Sequence, residues 1–290
     1  DVVDLGRGVD RLLRGLDEVA AGEDPGSVHD EVDRPALGEH LGQCIGHIRP
    51  ALERRFGGWT AGETPRPQKN LATVDLPQKP RIFLVNKTAA EQSLILAAHL
   101  APPKSDPDDL AMKLANTALG GNFVSRLNMN LREDKHWSYG AGSVISGARA
   151  QRPFFAYAPV QSDKTVESMR EIRQELTAVG DKSPLTPDEI GFARDSLVRA
   201  LPGDNETTAE IGGSISSILV YGLADSYWND FVDKAAALTP AAVNAASRRL
   251  IQPEALTWIV VGDLARIEQP IRDLQWAEVT VLDADGTPVR

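Results

Sequence analysis

One cysteine, Cys44, occurs in 290 residues. That scarcity excludes an internal disulfide framework and any cysteine-based structural zinc site. No apolar run approaches the roughly 18–20 residues needed to span a bilayer. Bases are outnumbered, 31 against 41 acids, for a formal net charge of −10, which argues against a nucleic-acid or anionic-membrane surface. The common catalytic signatures are missing too: no G-x-x-x-x-G-K-[ST] phosphate loop, no G-x-G-x-x-G after a strand, no G-x-S-x-G elbow. Five histidines stand at 29, 40, 47, 99 and 136, none of them in H-E-x-x-H or its inverse H-x-x-E-H. Catalytic zinc normally takes three protein ligands on fixed elements, and no such set is visible. His99, inside an apolar strand, reads as a satisfied core or edge histidine rather than a ligand.

What is present is ordinary for a globular chain: 42% apolar and 25% charged residues. The acidity is local. Residues 1–40 carry eleven acids against four arginines, with no lysine and no aromatic, leaving a net of −3 for the other 250 residues. This acidic leader is expected to be a poorly packed extension rather than a binding face, with a short helix over residues 5–21 and loop from Ala21 to Leu41. The chain opens on Asp1 without a signal-peptide pattern, and is expected to be a processed or excised part of something longer.

A helical pattern runs from Ile45 to Phe56, stopped by Gly57-Gly58, and the proline-bearing stretch Thr60–Pro80 reads as a linker and domain boundary. Beyond it, strands are expected at Arg81–Asn86 and Gln92–Leu100, and a helix from the Asp106-Pro107-Asp108-Asp109 start signal to Leu119. A second helix over Val124–Glu133 precedes strands at Tyr139–Ser146 and Phe154–Val160. Helices follow at Thr165–Val179, Thr186–Leu201, Thr207–Tyr221, Ser226–Ala237 and Pro240–Ile251. A strand at Thr257–Val261, a helix at Leu264–Leu274 and a strand at Glu278–Leu282 end the chain. The order is that of an α+β domain with a mixed β-sheet and helices packed on one face. Gly42–Pro50 echoes Gly262–Pro270 in its glycine–proline spacing and following tryptophan, read either as a trace of duplication or as chance similarity between short helices.

The densest segment is Gly120–Ala141, GGNFVSRLNMNLREDKHWSYGA. By pattern alone it is a helix–turn–strand corner with surface arginines. It also resembles the signature of the C-terminal half of pitrilysin-type (M16, M16B-like) zinc metallopeptidases. The resemblance continues through NKTAAEQSLILAAHLAPP at Asn86–Pro103, RPFFAYAPVQSDKTVESMREI at Arg152–Ile172, ALPGDNET at Ala200–Thr207 and LTWIVVGD at Leu256–Asp263. It implies an M16 metallopeptidase-like (LuxS/MPP-like) domain complete over residues 71–290, with residues 1–70 holding the leader, the truncated tail of a preceding homologous domain at 42–59, and the linker.

The same resemblance implies a division of labour. The family's N-terminal half bears H-x-x-E-H and holds zinc. Its C-terminal half contributes an arginine and a tyrosine seven residues apart, which Arg132 and Tyr139 match in type, spacing and context. No cofactor or metal is then expected in this chain, with zinc in the partner half, fused upstream or on a separate subunit, and a peptide as substrate. A guanidinium and a phenol can both donate to a substrate carbonyl or developing oxyanion. The plainer alternative pairs Arg132 with Glu133 or Asp134 and buries Tyr139 in the core. Arg126 occupies a further slot of the motif and reads as structural. A non-catalytic M16-fold scaffold or interaction subunit is the competing function. A sheet face without helices is expected to line a peptide chamber, where an edge strand could pair with substrate. By analogy with exported bacterial relatives the location is periplasmic or otherwise exported, and a lone cysteine is equally compatible with cytoplasm.

Overall fold

A computed structural model of the chain describes residue 50 and residues 53–59 and 69–289. The expected leader, the helix over 5–21, most of the Ile45–Phe56 helix and residues 60–68 of the linker lie outside the described residues, as do Cys44, His29, His40 and His47. Residues 53–56 are helical, and the Gly57 N–H closes the turn on the Glu53 carbonyl at 2.7 Å.

Leu71–Thr207 together with Phe231–Arg290 form one compact unit. Its elements run β1 (Arg81–Asn86), β2 (Gln92–Ala101), α1 (Asp109–Asn116), α2 (starting as Arg126–Asn128), β3 (Gly142–Ile145), β4 (Arg152–Gln161), α3 (Thr165–Ala178) and α4 (Pro187–Ala200). After α5 (Thr208–Tyr221), the unit resumes with α6 (Phe231–Ala237), α7 (Pro240–Leu250), β5 (Thr257–Gly262), α8 (Leu264–Arg272) and β6 (Val279–Leu282). α5 belongs to a second unit that takes in Thr208–Asp230; there the Trp228 indole N–H donates to the Ser214 carbonyl at 3.0 Å.

The six strands form one mixed sheet in the order β3-β4-β2-β5-β1-β6. β1 runs parallel to both β5 and β6, while β2, β3 and β4 pair antiparallel. Strand side chains alternate between faces, and here the alternation separates two environments. Ile82, Leu84, Ile95, Ala97, Phe154, Ala158, Trp258 and Val260 are fully buried on one face, among the apolar residues of the helices. On the other face, Phe83, Ile259, Leu96 and Tyr157 stand in register across four strands, and all four keep solvent contact. The sheet is thus covered on one side, the arrangement read from the sequence.

Helix starts follow their caps. Thr186 and Glu189 form a capping box ahead of Pro187, Thr239 accepts from the Ala242 N–H, and Asp263 from Ala265. α3 buries Thr165, Ser168, Met169, Ile172 and Leu176, one stripe at helical spacing. Some extents differ from the sequence expectation. α1 begins at Asp109, not Asp106, because Asp106 turns inward to accept the Asp108 N–H at 2.9 Å and to pair with Arg249 at 2.9 Å. The expected helix over Ser226–Ala237 is helical only from Phe231. The strand expected from Tyr139 starts at Gly142.

Candidate functional site

The Gly120–Ala141 segment lies between α1 and the sheet edge. α1 runs on as a π-helical turn over Thr117–Gly121, and α2 as another over Met129–Asp134. The glycine pair matters for reach. A Cβ on Gly120 would collide with the Ser143 backbone, and one on Gly142 would lie 2.7 Å from the Gly120 carbonyl oxygen. Glycine on both sides lets the end of the helix touch the edge strand. Asn116 secures that contact: its amide donates to the Ser143 carbonyl at 3.2 Å and accepts from the Ser143 hydroxyl at 2.9 Å.

Asn128, 4% exposed, holds the segment at both ends. Its Nδ2 donates to the Phe123 carbonyl at 2.6 Å and its Oδ1 accepts from the Ala141 N–H at 3.0 Å. Past α2 the chain doubles back, so that the N–H groups of Trp137 and Ser138 both reach the Leu131 carbonyl, at 3.0 and 3.3 Å. His136 makes this possible at φ 57°, a left-handed conformation unusual outside glycine, with its Nδ1 3.0 Å from the Arg132 carbonyl. The Ser138 hydroxyl then donates toward the Gly140 and Pro159 carbonyls, tying the turn to β4.

Arg132 and Tyr139 stand on either side of this turn. The Arg132 guanidinium lies over the Phe123 ring, 4.2 Å from its centroid, a cation–π contact. Its Nη1 is 3.3 Å from Glu133 Oε1, yet no acceptor meets it in hydrogen-bonding geometry. Tyr139 is 89% exposed, so the core-packing alternative for this residue does not hold. Arg126 is saturated: it grips both Glu189 oxygens, at 2.5 and 2.7 Å, and the Ser183 and Pro184 carbonyls. Burial would raise the Glu189 carboxyl, but hydrogen bonds from Arg126 and Thr186 carry it below its ordinary range. Arg126 is structural, joining α2 to the start of α4. Asn128 and Ser138 were not singled out as site residues in the sequence, where an asparagine and a serine inside the motif carry no signal until the turn is folded.

His99 is a satisfied core residue. It accepts the Gln252 N–H on Nε2 at 3.2 Å, lies 3.0 Å from the Leu100 carbonyl through Nδ1, and packs on Phe154. Burial lowers its pKa below the ordinary 6.5.

Known proteins place the fold. The family described as peptidase M16 inactive domain matches residues 47–197. An uncharacterized zinc protease of Streptomyces coelicolor is 30% identical over 172 residues, 59% of this chain and 37% of that protein. Among solved structures, the peptidase M16 inactive domain from Pseudomonas fluorescens is 25% identical with a TM-score of 0.59, over 67% of this chain and 46% of that one. The periplasmic protease PqqL from Escherichia coli shares the fold at 14% identity and a TM-score of 0.61, over 91% of this chain and 33% of its own. This chain therefore spans well under two thirds of the length of each of these three relatives.

The zinc in the Streptomyces relative's description has no counterpart side chains among the described residues. Among the described residues no group of three or more His, Cys, Asp or Glu side chains could hold a metal ion, so these residues do not fit a zinc site. With a mixed sheet covered on one face, the M16 signature folded into its edge, and the family match across more than half its length, the chain belongs to the peptidase M16 inactive domain family.

Proposed function

We propose that this chain is the non-zinc C-terminal half of an M16-type zinc metallopeptidase, and that it contributes Arg132 and Tyr139 to peptide hydrolysis completed by a half bearing H-x-x-E-H. In this reading residues 71–290 are the C-terminal-type domain and Gly42–Trp59 the tail of a preceding homologous one. The zinc-bearing half is fused upstream or is a separate subunit, zinc resides there, and the assembly is periplasmic or otherwise exported. The observation that carries the proposal is the turn itself. It holds a fully presented phenol, Tyr139, seven residues from a guanidinium whose Nη1 has no hydrogen-bond acceptor. Both groups are donors, and donors fixed in advance stabilise charge developing on a carbonyl oxygen.

The chain is combined with an H-x-x-E-H half, and peptide turnover is measured. Arg132→Ala and Tyr139→Phe should each lower kcat by on the order of 10²–10³, with a smaller effect on KM. Full activity of both variants in that complex would overturn the proposal in favour of the scaffold.

A further inference from the structure

A cavity of about 380 Å³ lies between α1 and the free edge of β3, lined in part by Lys104, Lys113, Arg152 and Ser143–Gly147. Its charge is unbalanced. Asp109 is the carboxylate on its wall, and both oxygens are engaged: Oδ1 by Arg152 at 2.6 Å and Oδ2 by Lys104 at 2.5 Å. Arg152 is otherwise committed to the Pro102 carbonyl at 2.7 Å. Lys113, half-buried one helical turn beyond Asp109, is the third cation. It packs 5.5 Å from the Phe231 ring centroid, and no carboxylate lies within ion-pair distance of it among the described residues.

The neighbouring edge adds main-chain groups. The Ser146 N–H bonds Pro153 of β4 at 2.9 Å, so by the alternation of an antiparallel ladder Val144 also faces β4, while Ser143 and Ile145 face outward. Asn116 already covers the Ser143 carbonyl. The next outward pair, the Ile145 N–H and carbonyl, lies on the wall of the cavity.

We propose that this cavity binds an oxyanion, the C-terminal carboxylate of a peptide, with Lys113 as its principal partner and the Ile145 edge pairing with the peptide main chain. A strand laid on Ile145 uses the edge as sheets use any added strand. A terminal carboxylate beside Lys113 supplies a direct ion pair, which Asp109 and Asp204 do not make although both attract it. Burial and then Lys104 lower the Lys113 pKa, against the attraction of Asp109 and Asp204, and a bound carboxylate would raise it. The site goes beyond peptide hydrolysis and is tested on this chain alone, so it stands or falls apart from the zinc-half reading.

The test is calorimetric titration of the 290-residue chain with three probes: an extended hexapeptide with a free C-terminus, the same peptide amidated, and inorganic phosphate. The free-carboxylate peptide should bind at least tenfold more tightly than the amide, and phosphate should compete with it. Lys113→Met should remove the preference and the phosphate binding together. Ile145→Pro removes an outward N–H on an edge strand, where proline is tolerated; it should weaken the peptide and leave phosphate unchanged. Equal binding of the two peptides, phosphate binding without peptide binding, or no binding at millimolar concentration would overturn the assignment, provided circular dichroism shows the parent fold.

Discussion

At the scale of single residues, the chain separates polar groups that are finished from polar groups that are not. Arg126 has five oxygen partners, and His99 has a partner at each ring nitrogen. The latter has a pH consequence whose sign is fixed. Burial keeps the folded imidazole neutral below its ordinary pKa of 6.5, while the unfolded chain takes up a proton there. The unfolded state then binds more protons, so stability falls as pH drops below about 6.5 until the folded group titrates too. The urea midpoint of the parent should decline between pH 7 and 5.5 more steeply than that of His99→Gln, with a limiting slope near 1.4 kcal/mol per pH unit from this group. Identical profiles would show that the histidine titrates alike in both states. His99 was legible because its apolar strand context left a satisfied neutral ring as the simplest reading. Lys113 was not, since its isolation depends on Asp109 being taken by residues 5 positions before and 43 positions after it.

Among elements, strands were read more accurately than the corner that carries the site. β1 matches its expected span, and β2 and β4 extend theirs by one to three residues, because runs such as RIFLVN and FFAYAPV announce themselves by composition. The π-helical turns at Thr117–Gly121 and Met129–Asp134 have no such signal, and the contacts beside them, Gly120 against Ser143 and Asn128 with Phe123 and Ala141, are tertiary ones that no local period encodes. Tyr139 lies outside β3 for a related reason: Ser138 keeps an isolated antiparallel bridge to Val160 while its hydroxyl bonds the Gly140 and Pro159 carbonyls, and the ladder resumes only at Gly142. The helix-to-edge contact gives a sharp expectation. Gly120→Ala places a methyl against Ser143 backbone atoms that cannot swing away. It should cost about 1–3 kcal/mol, read as a lower urea midpoint. An unchanged midpoint would mean the helix end can lift off β3 freely. Gly191→Ala, with open space around its Cβ position, is the control.

At the scale of the whole molecule, the expected α+β architecture with one covered sheet face was readable from element order, while the strand order was not, since nothing in β1 says that its neighbours are the two last strands. The proposed function, with zinc in the partner half, leads to an expectation for the isolated chain. Equimolar zinc should leave the thermal midpoint of the isolated chain within a degree, and peptide hydrolysis should stay at background. A zinc-dependent rise in either quantity would mean the chain assembles ligands of its own.

The strand order also governs when the domain can exist. β1 pairs only with β5 and β6, and the β1–β5 contact joins residues 176 apart in sequence. During synthesis the first strand of the sheet leaves the ribosome without a neighbour on either side, and it waits for nearly the entire remainder of the chain. Contacts of such separation fold slowly and leave apolar edges open meanwhile. The RIFLVN strand is thus the segment of this domain with the longest exposure to chaperones and to misassociation, and a ribosome that stalls before Thr257 releases a chain whose sheet cannot close.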